Sequence, residues 1–461
     1  MSVQKLVVRA RRVEFLFVCV LGLGFLGMGC SGPIEPNDNN NQNPPPARRS
    51  VESSLTYYKD VKPILNRSCV GCHSQGGIGP WDLSNYDKVK SIAPLIAQEV
   101  KSKRMPPWQP AKGCQEYVGD SSLSDTEIKT ITDWVEQGIV EGDPSEDKSQ
   151  PPVKPEVLSR VDVTVKMREP FKNYATPDDY RCFVADWPMK EKAYISGLQV
   201  TPGNLAVAHH VIVVVVGPSE LEKLAKLEAQ DEKPGYSCYG SPGQGLRVTN
   251  IGSWVPGAVQ RDFPKGTGIL VEPGSKVIMQ MHYNVLSNDP GPDQTSVGFK
   301  VEKQVEKLFK LIPLVNPQWA LGQTMPIPAG VPDATHSFSF DPSKGLLGRS
   351  VTNGKNVLLQ STTIHMHQRG KSGRIWIKRN DGSETCLLDI PRWDFNWQGE
   401  YRFKKPILLK PGDQVGIRCV WDNSAANQPM VKGTKMKPTD LNWGDGTQDE
   451  MCLGALKFIE E

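Results

Sequence analysis

Along the 461-residue chain the rhythm of apolar and polar positions changes twice. From Phe15 to Gly29 the residues are apolar or glycine without a break, a run shorter than the ~20 residues a spanning helix needs. From about 55 to 143 the spacing is helical. Tyr57 to Asn66 is amphipathic. Further on, Ser124 and Glu127 form a capping box, Ile128, Ile131 and Val135 mark one face, and Gly138 ends the helix. Beyond about 165 the pattern becomes that of strands: Val211–Val216, Lys276–Met281 and Val357–Ile364 are β-rich, and Pro202-Gly203, Pro273-Gly274 and Pro411-Gly412 supply turns. The expected fold is therefore multidomain, with a small all-α domain over 55–143 followed by two all-β sandwich domains, 165–310 and 311–461. Polar, Pro-rich stretches at 31–54 and 144–164 read as linkers, and the second would tether the helical domain loosely to the sandwiches.

Composition adds little to this and removes some alternatives. Gly 42 and Pro 38 suit many short strands joined by turns. Lys5, Arg9, Arg11 and Arg12 precede the apolar run, which makes residues 1–29 a signal peptide. Gly29-Cys30 resembles a bacterial lipobox, with Leu26 one position further from the cysteine than the pattern prefers. Cys30 is accordingly the expected lipidation site and new N-terminus, and Ser31 after it points to the outer membrane, on its periplasmic or cell-surface face. Without residues 1–29 the basic and acidic residues balance, so nothing in the charge calls for nucleic acid. Membrane attachment is expected through the lipid anchor alone. Ten cysteines suit an oxidising compartment. Cys114, Cys182, Cys238, Cys386, Cys419 and Cys452 can form three disulfides in fifteen ways, which spacing does not resolve.

Cys69-Val70-Gly71-Cys72-His73 is a C-x-x-C-H motif. Two thiols at this spacing can add to the vinyl groups of a haem while His73 ligates its iron, so one covalently bound haem c is expected. Met105, in a loop stiffened by Pro106 and Pro107, is the candidate second axial ligand. Small class I-type cytochromes c place theirs in such a loop, and the 55–143 segment resembles them.

Of seven histidines, five others fall in patterns. His365 and His367 are two apart at the end of a β run and so share a face. His209 and His210 are adjacent and begin another run; for both to reach one metal, the strand must be irregular there. His282 ends a third. His336 is read as a structural residue. Imidazoles suit several metals, but a thioether beside them favours copper and argues against zinc. Met451 supplies a candidate thioether.

In this order, His209-His210, Gln280-Met281-His282-Tyr283, His365-Met366-His367 and Glu450-Met451-Cys452 resemble the copper type II, ascorbate-dependent monooxygenases over residues 165 to 458. The resemblance implies two jelly-roll-like sandwiches, each carrying one copper ion, facing across a cleft. It also implies His209, His210 and His282 as ligands of an electron-transfer copper, His365, His367 and Met451 as ligands of an oxygen-binding one, and Gln280 as a residue orienting the path between them. It further implies a Cys419–Cys452 disulfide; Cys182 and Cys238 are candidate partners, and Cys114 and Cys386 have no assigned place. The peptide-amidating members hold substrate with an arginine two residues before His-x-His and a tyrosine four after the methionine. Thr363 and Ala455 stand here, which argues against a peptidyl-glycine substrate.

The implied activity is hydroxylation of an organic C–H bond with O2. The substrate is an unidentified small molecule or peptide, and an external donor supplies electrons through the fused haem. The competing reading is a non-catalytic periplasmic haem/copper electron-transfer or copper-binding protein, which the same ligands would serve.

Overall fold

The computed structural model describes residues 54–461 apart from 76–78, 153–156, 173, 176–177, 239–241, 244, 255–260, 286–290, 323, 346–351, 396, 432–433 and 445–447. The signal segment and Cys30 lie outside the described residues. Among those described, no helix is long and apolar enough to cross a membrane.

Helical residues come first. A π-turn at Tyr57–Val61 runs into the helix Lys62–Ser68, and Tyr86–Lys101 and Asp125–Glu136 follow. The last carries the capping box: Ser124 Oγ accepts from the Glu127 amide while the Glu127 carboxylate accepts from the Ser124 amide. Its apolar stripe meets the other helices around Tyr57, Leu65, Val89, Ala93, Ile131 and Trp134. The polar stretch that follows is laid back along this unit. Asp147 pairs with Lys62 at 2.5 Å, and Ser149 and Gln150 accept from Asn66.

Two β-sandwiches make up the rest. In the first, a five-stranded sheet contains, in order, Tyr236–Ser237, Asp178–Asp186, Lys276–Asn284, Ala208–Val216 and Thr249–Trp254. It packs on a six-stranded sheet that includes Val163–Lys166, Ser296–Glu302, Ala193–Thr201 and Thr267–Val271. Alternate residues of each strand point inward, so Val211, Val213 and Val215 join Val277, Met279 and Met281 in one core. The second sandwich packs the sheet Lys310–Leu314, Leu453–Glu460, Val357–His365, Tyr401–Leu409 against the sheet Ala334–Phe340, Gln414–Trp421, Gly370–Lys378, Glu384–Ile390. Its core holds Leu359, Ile364, Met366, Ile375, Ile417, Trp421 and Phe458.

One segment departs from the order expected of the sequence. Residues 108–118 leave the helices and lie along the second sandwich, where Trp108 and Tyr117 pack into that sandwich's core. The Ala111 amide donates to the Asp389 carbonyl, and Val118 and Glu116 pair with Arg402 and Lys404. Strands Glu384–Ile390 and Tyr401–Leu409 are the exposed edges of their two sheets. The segment covers both, giving their unpaired backbone groups partners. A Cys114–Cys386 disulfide fastens it. The helical residues are thus joined to the second sandwich through this segment, and Ser53–Glu461 forms one compact unit.

Candidate metal centres

The first histidine set is made by a strand fault. Ala208 pairs with Tyr283 and His210 with His282, so one extra residue, His209, is accommodated between them. This bulge re-aims a side chain that regular alternation would send to the opposite face. His209, His210 and His282 consequently converge, their candidate ligand atoms all within 4.8 Å of one another. His210 Nδ1 lies 3.2 Å from His282 Nδ1 and 3.4 Å from His209 Nδ1. A tetrahedral metal with bonds of about 2.0 Å would place its nitrogens about 3.3 Å apart, so this donor set fits an imidazole-bound ion.

Tautomers are fixed from behind. His282 Nε2 lies 2.9 Å from the Asp178 carboxylate, which also accepts from Asn284. A carboxylate only accepts, so Nε2 carries the proton and the Nδ1 lone pair faces the cluster. Burial raises the Asp178 carboxyl, but the His282 and Asn284 bonds outweigh it and the net shift is downward. Burial, reinforced by the neighbouring His282 imidazole, pushes His209 down to about 4 and His210 well below its ordinary value. Both rings are held neutral, the form that binds metal. Gln280 sits two residues before His282 and therefore on the same face, where its amide donates to the Cys238 carbonyl at 3.0 Å. Cys238 is bonded to Cys182.

The second set lies where Val357–His365 ends. His365 and His367 have ring centroids 5.0 Å apart. His367 Nδ1 donates to the Asp449 carbonyl at 3.0 Å. His365 Nδ1 meets Gln398 Oε1, and because Gln398 Nε2 donates to the Phe395 carbonyl at 2.9 Å, the amide can present only its oxygen to the ring. In both rings the hydrogen-bonded nitrogen is Nδ1. Met451, nearly buried, is carried on a strand-entry segment tied firmly to His367. Glu450, fully buried, accepts from the backbone amides of His367 at 2.9 Å and Arg369 at 2.7 Å and from Trp421 Nε1 at 2.8 Å. Burial raises its carboxyl to about 7 despite these donors. Cys452 is bonded to Cys419 on the facing sheet. Two imidazoles and a thioether suit copper better than zinc.

Phe395 stands between the two sets. Its ring stacks on His209 at 5.3 Å and meets His367 edge-on at 6.2 Å. Thr363 and Ala455 are direct cross-strand partners two steps from the His365–Leu453 pair and hence on the same face, so the sheet face beside His365 is neutral there. His336 lies apart from both sets, donating to the Pro326 carbonyl and packed between Trp319 and Trp421.

At the C-x-x-C-H motif, Cys69 and Cys72 are free thiols, and burial pushes Cys69 up to about 12. His73 Nδ1 donates to the Trp81 carbonyl at 3.2 Å, again leaving Nε2 available. A side chain at Gly79 would strike the His73 ring, its Cβ falling 2.3 Å from Nδ1. Met105 follows the Tyr86–Lys101 helix in the stretch that leads to the docked segment.

Asp178, Gln398, Phe395 and Arg369 are the site residues that local pattern did not single out; Glu450, beside Met451, was named in its motif, but not its role.

The fold and site define a class: paired β-sandwiches, each presenting one set of imidazoles. Residues 350–460 match the family described as "Copper type II ascorbate-dependent monooxygenase, C-terminal domain". The chain is also similar to "DBH-like monooxygenase protein 2" of Mus musculus, 26% identical over 301 residues, which covers 61% of this chain and 44% of the mouse protein. The chain thus spans less than half of that relative's length. Among solved structures it aligns with the major capsid protein P2 of bacteriophage PM2 at 9% identity and a TM-score of 0.25, covering 65% of this chain and 97% of that one. It also aligns with the cowpea mosaic virus top component at 8% identity and 0.25, covering 67% and 92%. Such scores support no inference.

Proposed function

We propose that the chain is a copper-dependent monooxygenase that hydroxylates a C–H bond of an organic substrate with O2, with electrons entering through a haem c held at Cys69, Cys72 and His73. Overall, R–H, O2, two electrons and two protons become R–OH and water, so an external donor is required. The observation that carries this reading is the pair of imidazole sets, one on each sandwich, separated by the single ring of Phe395.

His209, His210 and His282 would hold one copper through Nδ1, and His365, His367 and Met451 would hold the other through Nε2 and sulfur. Copper bound there would supply one-electron transfer and activation of dioxygen. Asp178, the Asp449 carbonyl and Gln398 keep the histidine protons on the nitrogens facing away from the ions. Phe395 places its ring between the sets, against His209 and His367. Thr363 and Ala455 offer no charge to a substrate carboxylate, which favours a substrate recognised by other groups. His73 Nε2, with Met105 as candidate second ligand, would hold the iron. Export, with a lipid anchor at Cys30, agrees with the disulfides.

The test is metal analysis and oxygen uptake on protein lacking residues 1–30, screened against a metabolite library. Two coppers per chain and a hydroxylated product are expected. Met451→Ala should abolish product and weaken Cu(I) binding at one site only, whereas His210→Ala should remove the other copper. Binding of both coppers without product from any substrate would support the electron-transfer alternative.

A further inference from the structure

Between strands Glu384–Ile390 and Tyr401–Leu409 runs a connection that touches three things at once. Inward, Gln398 holds His365 Nδ1 and Phe395 meets His209 and His367. Outward, the same connection is gripped by the helical part of the chain. Arg392 donates to the carbonyls of Ser102, at 2.8 Å, and Lys103. Gln109 makes a two-way clasp: its Nε2 donates to the Asp394 carbonyl at 3.1 Å and to the Trp397 carbonyl, and its Oε1 accepts from the Asp394 amide at 3.1 Å. Asp394 and Trp397 flank Phe395 and Gln398. Immediately beyond Gln109 the chain is fastened by the Cys114–Cys386 disulfide. The Tyr117 hydroxyl adds a bond to the Leu387 carbonyl at 2.8 Å, and Trp108 packs edge-on to Tyr401 at 5.6 Å.

We propose that residues 102–118 are a positioning clamp for the His365–His367 centre: by holding the 392–398 connection, Gln109 fixes Gln398 and hence the orientation and tautomer of His365. The helical unit is then a structural part of a metal centre whose ligands all lie in the second sandwich. Geometry gives the reason. A ligand ring is set only as well as the group behind it, and loss of such a group typically lowers metal affinity 10–100-fold. Gln398 sits on a connection, not a strand. Trp393 anchors the start of that connection to the sandwich, its Nε1 donating to the His367 carbonyl at 3.0 Å and its amide to the Lys371 carbonyl at 2.8 Å. Gln109 clasps Asp394 and Trp397, nearer Gln398, from outside it. The inference rests on the copper reading for its consequence, but its cause, the Gln109–Gln398–His365 chain, is testable without metal.

The experiment uses the chain from residue 31 onward, metal-free, with 15N-labelled histidine, and reads the His365 tautomer by long-range 1H–15N correlation. The wild type should show one tautomer, protonated at Nδ1. Gln109→Ala should yield a mixture, and Gln398→Leu should do so more completely, whereas Gln398→Glu, which keeps the acceptor, should restore Nδ1–H. The Cys114→Ser/Cys386→Ser pair is a second route to the same loss. In the copper-loaded protein, Gln109→Ala should weaken one of two coppers 10–100-fold and leave the His209–His210–His282 ion unchanged. A segment that merely seals the sandwich edge would lower the melting temperature in these variants while His365 keeps its single tautomer, and that result would overturn the proposal. Failure of the wild type to bind copper, with the tautomer still responding to Gln109→Ala, would refute the copper reading and leave the clamp standing.

Discussion

At the scale of single residues, the recurring device is a histidine with one nitrogen tied to an acceptor. His282 uses Asp178, His367 the Asp449 carbonyl, His365 Gln398 and His73 the Trp81 carbonyl. Each arrangement fixes a lone pair without a bound ion, so binding need not select among tautomers. The same burial has an acid cost. Burial and the nearby His282 ring hold His209 at about 4, against 6.5 in the unfolded chain. Between those values the unfolded state carries the proton and the folded state does not, so this residue's contribution to stability is lost as pH falls from about 6.5 towards 4. Glu450, raised to about 7 by burial, works the other way: its folded form keeps the proton longer, and stability falls as pH rises through 4.5 to 7. The informative quantity is therefore a difference. Thermal melts of metal-free wild type and His209→Asn, taken from about pH 7 down to 4, should diverge, with the variant losing less. Parallel curves would show that His209 is not held neutral by the fold.

Elements show what was and was not legible in the chain. The strands Ala208–Val216, Lys276–Asn284 and Val357–His365 follow from β-branched runs that end in histidines, and the Ser124 helix from its capping box. The need for an irregular strand at His209-His210 was also legible, because two adjacent side chains on a regular strand cannot share a face. Its realisation as a bulge against His282 required the neighbouring strand, which pattern alone does not assign. Asp178 and Gln398 could not be read, since each acts on a histidine over a hundred or over thirty residues away through pairing set by the tertiary fold. Nor could the edge cover at 108–118: a Pro- and Gly-containing stretch within a helical domain reads as a loop, and its partner strands lie far along the chain. That cover carries substantial packing. Tyr117 is fully buried against Trp108, Tyr401 and Phe403. Tyr117→Ala should cost about 3–5 kcal/mol, the range for removing a large buried side chain. Denaturant unfolding should show it as a lower midpoint, and a loss below about 1 kcal/mol would mean that the segment only rests on the surface.

For the whole molecule, the cysteines among the described residues divide into two populations. Cys114, Cys182, Cys238, Cys386, Cys419 and Cys452 are paired; Cys69 and Cys72 are thiols. If the thiols serve haem attachment and the pairs serve the fold, substitutions in each group should separate cleanly. Protein matured in a host that attaches c-type haem should retain haem through denaturing electrophoresis. Cys69→Ala with Cys72→Ala should lose it, and Cys114→Ser with Cys386→Ser should keep it. Covalent haem persisting in the first double variant would refute the assignment.

The Cys114–Cys386 bridge also imposes a schedule on biogenesis. Its halves are 272 residues apart in the chain, so the amino-terminal sulfur is synthesised long before its mate. During that interval Cys114 is an orphan, with Cys69 and Cys72 as the nearest cysteines before it in sequence. The thiols that are to stay unpaired must be occupied or shielded before residue 386 arrives, or the early half of the protein is locked into the wrong covalent form. The order in which sulfurs are consumed, as much as the final geometry, then decides whether a newly made chain becomes the molecule described above.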